Sequence, residues 1–539
     1  MNKILKVTAV FCLTVALLMS AVSCAWINEN VLGKEHEHQF KNSTHTVAPT
    51  CVEDGKKTAE CKCGVVEITL IPATGKHNYH NKVCTVCGRK DVTGFTSPVL
   101  CGDALSSYVI VYDKDASDYT VRAAEYIAKE VLARTNITLP VLPIEESTEM
   151  NAHEIVVGET DRQISKNLDA QTKGFEFALL ADENHVAIEG DYFIIAAAAY
   201  YFVQHYVPEA IFDIDIPQTA TVCTPIVKEA QNFIFLIGDG MGPNQTKLFD
   251  AYKDESIVDY SDGEDFFYGY LFPYIGEART DSLSGTTDSA AAGTALASGF
   301  KTKNGYVGRD GDQNDVPSLT ELAAQKGMAT AVMSTEKQTG ATPAAFSAHA
   351  YDRSNTGQIT TSQQLLTETY GTVISCDYNV YTDSEMAKLR SAITNTLQTL
   401  SQDEDGFFMM YEEAYIDKHC HNNDAKNAYL AMVRFNQAIA LFMEYAFYNP
   451  ETMVIITADH ETGGLQIDEN GAFSYTTGDH TSTNVPVFAY GAHAEVFGEK
   501  TIENVQIPKT IAAMFGVEIE GTDPEQYPAL LPLMVIEKK

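Results

Sequence analysis

The chain has 539 residues and a formal net charge of −36 at pH 7. Such an excess of acidic side chains excludes the broad basic surface that binds nucleic-acid phosphates, whereas it is compatible with bound cations. With 45% hydrophobic and 20% charged residues, the composition is typical of a globular protein, and the length predicts two or three domains.

The first predicted element is a targeting segment, residues 1–24. Lys3 and Lys6 precede an apolar run that ends at Met19, which is the arrangement of a secretory signal and is short for a membrane span. The small residues before Cys24 resemble a bacterial lipobox, in which the cysteine is lipidated. We therefore expect an extracellular protein with a lipid anchor at Cys24, and plain secretion is the alternative.

Residues 25–95 form a segment that is rich in cysteine and histidine. Thiolates and imidazoles at this density favour tetrahedral zinc, while disulfides remain the alternative in an oxidising compartment. The segment resembles small Cys/His modules near the ends of Gram-positive surface proteins. The candidate ligands of a structural zinc ion are Cys51, Cys61, Cys63, His77, Cys84 and Cys87.

The next region, residues 96–228, predicts a small α/β domain. SYVIVYD and HEIVVGET read as strands around the amphipathic helix AAEYIAKEVLARTN, followed by the hairpin FEFALLADENHVAIEGD and the helix DYFIIAAAAYYFVQHYV. This order resembles the accessory α/β domain that precedes the barrel in several glycoside hydrolases of the hexosaminidase type. That domain has no catalytic residues of its own, so we expect structural support here.

The third region, residues 229–539, predicts an α/β fold with a central, mostly parallel sheet and helices on both faces. The runs NFIFLIGDG, ATAVMSTE, TMVIITADHE and VPVFAYG are apolar and end in polar residues, as parallel strands covered on both faces do. Ligands bind at the carboxyl ends of such strands. The polar residues at those ends are therefore the first candidates for a site.

Two of these strand ends carry acidic residues and an imidazole. Asp239 follows the first run within GDGMG, and Asp459 and His460 follow the third. For either strand end alone, a solvated loop acid is the favoured interpretation. Together they predict carboxylates and an imidazole on one rim of the sheet.

The segment YEEAYIDKHCH adds a further set of ligand types. Asp417 and His421 are four positions apart, so they would lie on one face of a helical turn and bind one cation. Glu412 would reach a neighbouring position, and His480 lies in the loop GDHTST. A charged exterior helix face is the structural alternative.

A serine at the start of TTDSAAAGTALASG is the candidate nucleophile. The run after Asp288 has good helix propensity, which places Ser289 in the first helical turn. Free N–H groups and the helix dipole favour an anion there. A capped helix packed through its alanines is the alternative.

In this order, the motifs GDG, DSA, ATP, ADH and HT resemble those of alkaline phosphatases, over residues 232 to 515. The resemblance implies a phosphomonoesterase in which Ser289 accepts the phosphoryl group and Arg353 clamps the phosphate. Lys418 matches a lysine near the substrate phosphate in bacterial members. The family likeness also implies a homodimer.

The same resemblance implies two zinc ions and one magnesium ion. One zinc site would consist of Asp417, His421 and His480, the second of Asp239, Asp459 and His460, and the magnesium site of Asp239, Thr342 and Glu412. Zinc stabilises a serine alkoxide, and two zinc ions hold the attacking and leaving oxygens of an in-line displacement.

One position departs from the family pattern. Gly340 stands two residues before Thr342, where bacterial members usually carry aspartate and animal members histidine. The departure leaves the occupancy of the magnesium site open. A phosphodiesterase of the same superfamily and a non-catalytic surface-binding protein are the alternative functions.

Overall fold

The computed structural model describes short strands in the N-terminal segment and most of the chain beyond it. The described ranges are 45–47, 55–60, 66–71, 79–80, 83–84, 98–101, 103–147, 153–168, 171–182, 184–207, 219–252, 266–378, 383–468, 471–519 and 526–532. The predicted signal peptide and lipobox lie outside these residues. So do the side chains of the candidate structural zinc ligands.

The chain divides into two compact units. The first comprises Met1–Gly102 and Ile211–Asp215, and the second Asp103–Ala210 and Ile216–Lys539. In the first unit, a three-stranded antiparallel sheet and a two-stranded hairpin are described. Their strands are His45–Val47, Gly55–Glu60 and Val66–Ile71, and Tyr79–His80 and Val83–Cys84.

The second unit contains a six-stranded sheet in the spatial order β6-β4-β5-β3-β1-β2. The strands are β1 Tyr108–Tyr112, β2 Val141–Pro143, β3 His153–Val157, β4 Phe177–Ala181, β5 His185–Glu189 and β6 Thr221–Cys223. The predicted hairpin is confirmed as the antiparallel pair β4–β5. Its helices are α1 Asp118–Thr135, α2 Gln163–Asn167 and α3 Ile195–Tyr206.

The same unit contains an eight-stranded sheet in the order β10-β9-β11-β7-β12-β13-β8-β14. The strands are β7 Asn232–Gly238, β8 Tyr274–Arg279, β9 Ala329–Ser334, β10 Val373–Ser375, β11 Phe407–Glu413, β12 Thr452–Thr457, β13 Val485–Tyr490 and β14 Thr501–Glu503. Short strands outside this sheet are Glu461–Thr462, Leu465–Ile467, Phe473–Tyr475 and His480–Thr481.

Helices accompany this larger sheet along the chain. They are α4 Leu248–Tyr252, α5 Ser289–Ser298, α6 Leu319–Gln325, α7 Ala341–Ala345, α8 Thr356–Tyr370, α9 Asp383–Leu400, α10 Tyr415–His421, α11 Ala425–Tyr448 and α12 Gln506–Met514. The predicted α/β fold class with a mostly parallel sheet is confirmed. All residues of β12 and β13 are buried, as their continuous apolar runs predicted, and so are all residues of β11, a strand that the sequence analysis did not predict.

One strand direction was predicted wrongly. VPVFAYG forms β13, which is antiparallel to both of its neighbours, β12 and β8. An apolar run reports burial on both faces but carries no information on strand direction, which depends on the connection that precedes it. Among the described residues, no helix has the length and apolar composition that would let it cross a membrane.

Candidate active site

Four neighbouring strands of the large sheet, β9, β11, β7 and β12, are parallel and end at the same edge. Asp239 follows β7 directly, and Asp459 and His460 follow β12 after one residue. Glu412 is the penultimate residue of β11. The sheet therefore brings together acidic groups that are far apart in the sequence.

The first cluster consists of Asp239, Asp459 and His460, all buried, with their ligand atoms within 4.8 Å of one another. His460 Nε2 lies 3.6 Å from Asp239 Oδ1 and 3.2 Å from Asp459 Oδ2. Two carboxylates and one imidazole nitrogen converging in this way are ligands that zinc accepts.

The second cluster consists of Asp417, His421 and His480. Asp417 and His421 lie in α10, and their Oδ1 and Nε2 atoms are 3.3 Å apart. His480 reaches the same carboxylate from a short strand, with Nε2 3.5 Å from Asp417 Oδ1 and 3.1 Å from His421 Nε2.

Backbone carbonyls orient both imidazoles of the second cluster. His421 Nδ1 is 2.6 Å from the carbonyl oxygen of Gly478, and His480 Nδ1 is 2.8 Å from that of Thr287. A carbonyl can only accept, so each Nδ1 carries a proton, and a ring in its neutral form then presents its Nε2 lone pair to the cluster. This is the arrangement found around metal-bound histidines.

Ser289 is the first residue of α5, and Asp288 is its N-cap. Asp288 Oδ1 accepts a hydrogen bond from Ala291 N at 2.9 Å, so the capped-helix interpretation is correct as local structure. The cap also occupies that N–H group, which is therefore not available to a phosphate. Ser289 Oγ lies 3.2 Å from His460 Nε2, which places the hydroxyl beside the first cluster.

Thr342 and Glu412 approach the same region from a different side. Thr342 lies in the short helix α7, which packs against α5 because Gly293 has no side chain: a Cβ there would lie 3.3 Å from Thr342 Cα. Ser334 Oγ donates a short hydrogen bond to Glu412 Oε2. The other carboxylate oxygen of Glu412 has no hydrogen-bond partner.

Unsatisfied buried oxygens test whether these residues fit metal ions. They are Asp239 Oδ1, Thr342 Oγ1, Glu412 Oε1 and Asp459 Oδ2, each buried without a hydrogen-bond partner. Buried polar atoms normally have partners, and buried charges are paired or bind metals. The residues present therefore fit divalent cations.

The electrostatics lead to the same conclusion. Burial and the nearby carboxylates of Asp459 and Asp417 raise the pKa of Asp239 well above its usual range. Burial and the charge of Asp417 raise the pKa of Asp459 to about 7. Burial followed by the charge of Glu336 raises the pKa of Glu412. Acids that raise one another's pKa in this way favour a cation between them.

Asp417 behaves differently because imidazoles surround it. Burial alone would raise its pKa, but the imidazoles of His480, His460 and His421 and the hydroxyl of Thr462 lower the pKa well below the usual range. The Asp417 carboxylate therefore stays ionised. An ionised carboxylate is the form that binds a metal ion.

Two basic side chains stand at the mouth of the site. Arg353 Nη1 donates to Asp288 Oδ2 at 3.2 Å, and 41% of the arginine side chain is exposed. Lys418 Nζ donates to Glu336 Oε2 at 2.7 Å. Burial alone would lower the pKa of each group, but pairing with Asp288 raises the pKa of Arg353 and pairing with Glu336 raises that of Lys418, so the site offers positive charge in a strongly acidic protein.

Three residues that sequence reasoning did not assign also contribute to the site. Thr462 Oγ1 donates to Asp417 Oδ1 at 2.5 Å and lies 3.2 Å from His460 Nδ1. Ser334 bonds to Glu412, and Glu336 bonds to Lys418. The only available signal was position, since Thr462 lies two residues after His460 and Ser334 and Glu336 close the run ATAVMSTE.

Comparison with known proteins finds a family model and several relatives that match the region containing most of this site. A family model described as alkaline phosphatase matches residues 230–376 and 374–474. Alkaline phosphatase 3 of Bacillus subtilis is 28% identical over 337 residues, which covers 52% of this chain and 71% of that protein. Alkaline phosphatase of Escherichia coli is 24% identical over 388 residues, covering 50% of this chain and 82% of that protein.

A solved structure shows a similar extent of match. The alkaline phosphatase from the Antarctic bacterium TAB5 is 28% identical and has a TM-score of 0.46. The match covers 53% of this chain and 99% of the TAB5 chain.

Proposed function

We propose that the protein hydrolyses phosphate monoesters through a phosphoserine on Ser289, and the premise is that residues 230–474 match a family model described as alkaline phosphatase. The observation that carries this proposal is the position of Ser289 Oγ. It lies 3.2 Å from His460 Nε2, at the edge of one of two three-residue ligand clusters. A hydroxyl in that position can act as a nucleophile once it loses its proton.

The two clusters would hold zinc, because histidine nitrogens and carboxylates are its usual ligands. An all-oxygen group of Asp239, Thr342 and Glu412 would hold magnesium, which prefers oxygen ligands. When bound, these ions would supply the positive charge that stabilises the attacking and leaving oxygens. The orphaned buried oxygens of these residues support the assignment.

Arg353 and Ser289 would carry out phosphate binding and nucleophilic attack. Arg353, fixed by Asp288, presents a guanidinium beside the nucleophile, and a guanidinium can bind two phosphate oxygens at once. Ser289 Oγ attacks phosphorus, the bond from phosphorus to the ester oxygen breaks, and the alcohol departs. Water then attacks the phosphoserine, which releases phosphate and restores the serine hydroxyl.

The structure also disfavours an alternative hydrolase based on Ser289 and His460 alone. In such a pair an acidic residue orients the base through its second ring nitrogen. Here His460 Nδ1 faces the hydroxyl of Thr462, and Nε2 also faces the carboxylates of Asp239 and Asp459. That environment suits a metal ligand.

We also propose a cell-surface location and a dimeric assembly for the protein. A secretory signal with Cys24 as lipid anchor would place the enzyme at the cell surface, where small phosphomonoesters are accessible substrates. A homodimer is the assembly that the family likeness suggests.

The test compares hydrolysis of chromogenic phosphate monoester, phosphate diester and sulfate ester by zinc- and magnesium-loaded protein, with and without chelator. We expect the monoester to be the preferred substrate and chelator to abolish turnover. Ser289→Ala should reduce kcat at least about a thousandfold while metal content is retained. Ser391→Ala, at an exposed helical serine, is the matched control. Preferred hydrolysis of the diester would overturn the substrate class.

A further inference from the structure

Gly340 has no conformational reason to be glycine. It is the N-cap of α7, with φ −59° and ψ 157°, a region that residues of every type adopt. The reason is steric. A Cβ at this position would lie 1.9 Å from Glu336 Oε1 and 2.1 Å from Glu336 Cδ. The Glu336 carboxylate therefore fills the space that a side chain at position 340 would need.

The two carboxylate oxygens of Glu336 have different surroundings. Oε2 accepts a hydrogen bond from Lys418 Nζ at 2.7 Å. Oε1 is the atom directed at Gly340, two residues before Thr342. Since only 18% of the Glu336 side chain is exposed, its carboxylate is held against the helix that carries Thr342.

Glu336 is also tied to Glu412 through one serine. Glu336 N donates to Ser334 Oγ at 3.0 Å, and Ser334 Oγ in turn donates to Glu412 Oε2. Among charged groups, Glu336 has the largest effect on the pKa of Glu412, and it also raises that of Asp239. Its negative charge is thus felt by both acids of the proposed magnesium site.

Three orphaned oxygens of that site lie in the same region, namely Asp239 Oδ1, Thr342 Oγ1 and Glu412 Oε1. A third acid beside Asp239 and Glu412 makes sense if a hard cation is bound there, since Mg²⁺ prefers oxygen ligands and the water held by carboxylates. Without a cation, Glu336 would add repulsion to acids that already repel one another.

We propose that Glu336 supplies the carboxylate that completes the magnesium site, in the space that Gly340 leaves open. The inference rests on the proposed function for the site itself, and it assigns a role to a residue outside the implied ligand set. Glu336 and Gly340 act as a pair, because the glutamate provides the negative charge and the glycine leaves the space that the glutamate carboxylate occupies.

The experiment measures Mg²⁺ binding to zinc-loaded, full-length protein by titration calorimetry, with zinc and magnesium content checked by elemental analysis. Glu336→Gln should weaken Mg²⁺ binding about 10- to 100-fold, as loss of an outer carboxylate does at other metal sites. Gly340→Ala should weaken it similarly, because the new Cβ displaces the flexible end of Glu336. Since both changes remove the same group, the double variant should be no weaker than the single variants.

The most informative variant moves the carboxylate from position 336 to position 340. Glu336→Ala combined with Gly340→Asp places an acid in the vacated space and should restore Mg²⁺ affinity to within a few-fold of the wild type. Glu368→Gln and Gly357→Ala, at exposed positions of α8, are the matched controls and should bind Mg²⁺ as the wild type does.

The Lys418→Met variant distinguishes a role of Glu336 at the magnesium site from an ion pair between Glu336 and Lys418 alone. If Glu336 acts on the metal, loss of Lys418 leaves Mg²⁺ binding intact or strengthens it, because a positive charge is removed. Unchanged Mg²⁺ affinity in Glu336→Gln would overturn this inference, whereas the proposed phosphatase function would be unaffected. Conversely, absence of monoester hydrolysis by the wild type would overturn the proposed function, even if the Mg²⁺ pattern held.

Discussion

The hydroxyl of Thr462 lies between the two ligand clusters. It donates to Asp417 Oδ1, which can only accept, so its single proton is used there. His460 Nδ1, 3.2 Å away, must then be the donor to the threonine oxygen. This fixes the tautomer of His460 and leaves the Nε2 lone pair facing Asp239, Asp459 and Ser289.

We therefore expect Thr462→Val to weaken zinc binding about 10- to 100-fold, the usual cost of losing such an orienting group. Valine keeps the shape but cannot bond to either partner. Thr462→Ser retains the hydroxyl and should bind zinc nearly as the wild type does. Competition with a chromogenic chelator measures both affinities, and equal affinity for Thr462→Val and the wild type would contradict this role.

At the scale of elements, the site depends on how closely α5 approaches α7. Every residue of α5 is buried, and a Cβ at Gly293 would lie 3.2 Å from Ala345 Cβ. This contact brings the helix of Ser289 against the helix of Thr342. The run of small residues therefore has a positional function as well as good helix propensity.

Gly293→Val should force the two helices apart. Overpacking of a tight contact costs about 1–3 kcal/mol, and the displacement of Ser289 should lower kcat as well. Urea unfolding and monoester turnover measure the two effects. Gly357→Val in α8, where the glycine is exposed, controls for helix propensity. A variant with wild-type stability and turnover would show that the contact can relax.

A partly buried ion pair links α6 to the loop after α7. His349 Nε2 lies 3.0 Å from Glu321 Oε1, and its Nδ1 lies 2.7 Å from the carbonyl oxygen of Gly308. Burial alone would lower the pKa of His349, but the pairing with Glu321 raises it. Burial would likewise raise the pKa of Glu321, but the same pairing lowers it.

The pKa of His349 is raised on folding, so its contribution is complete below the unfolded value of about 6.5 and disappears as pH rises through the folded value. The pKa of Glu321 is lowered, so its contribution disappears as pH falls through its folded value. His349→Gln should therefore destabilise the metal-free protein by more at pH 5.5 than at pH 9. Urea unfolding at both pH values is the measurement, and a pH-independent difference would contradict it.

At the scale of the whole molecule, the small sheet and the large sheet lie in one compact unit. Phe193 packs against Phe447 of α11, with ring centroids 6.1 Å apart, and Arg122 of α1 forms two hydrogen bonds with Glu444 of the same helix. The predicted boundary between residues 228 and 229 remains a prediction. The supporting role of residues 96–228 likewise remains a prediction, with which these contacts are consistent.

The pattern of an apolar run that ends in polar residues predicted β7, β9 and β12, three of the four strands that position the site, but missed β11, which carries Glu412. It did not predict the direction of β13 or the short strand β14, since neither direction nor edge pairing is encoded in a local pattern. The roles of Thr462 and Glu336 could not be predicted either. Their partners, Asp417, Lys418 and Gly340, approach them only once distant strand ends meet at one edge of the sheet.

The central claim is that the two clusters hold divalent ions within bonding reach of Ser289 Oγ. A crystal structure of the zinc-loaded protein, with anomalous data collected on both sides of the zinc absorption edge, tests it most directly. We predict one zinc peak among Asp239, Asp459 and His460, adjoining Ser289 Oγ, and a second among Asp417, His421 and His480. Zinc peaks elsewhere, or a Ser289 hydroxyl turned away from the first ion, would contradict the account.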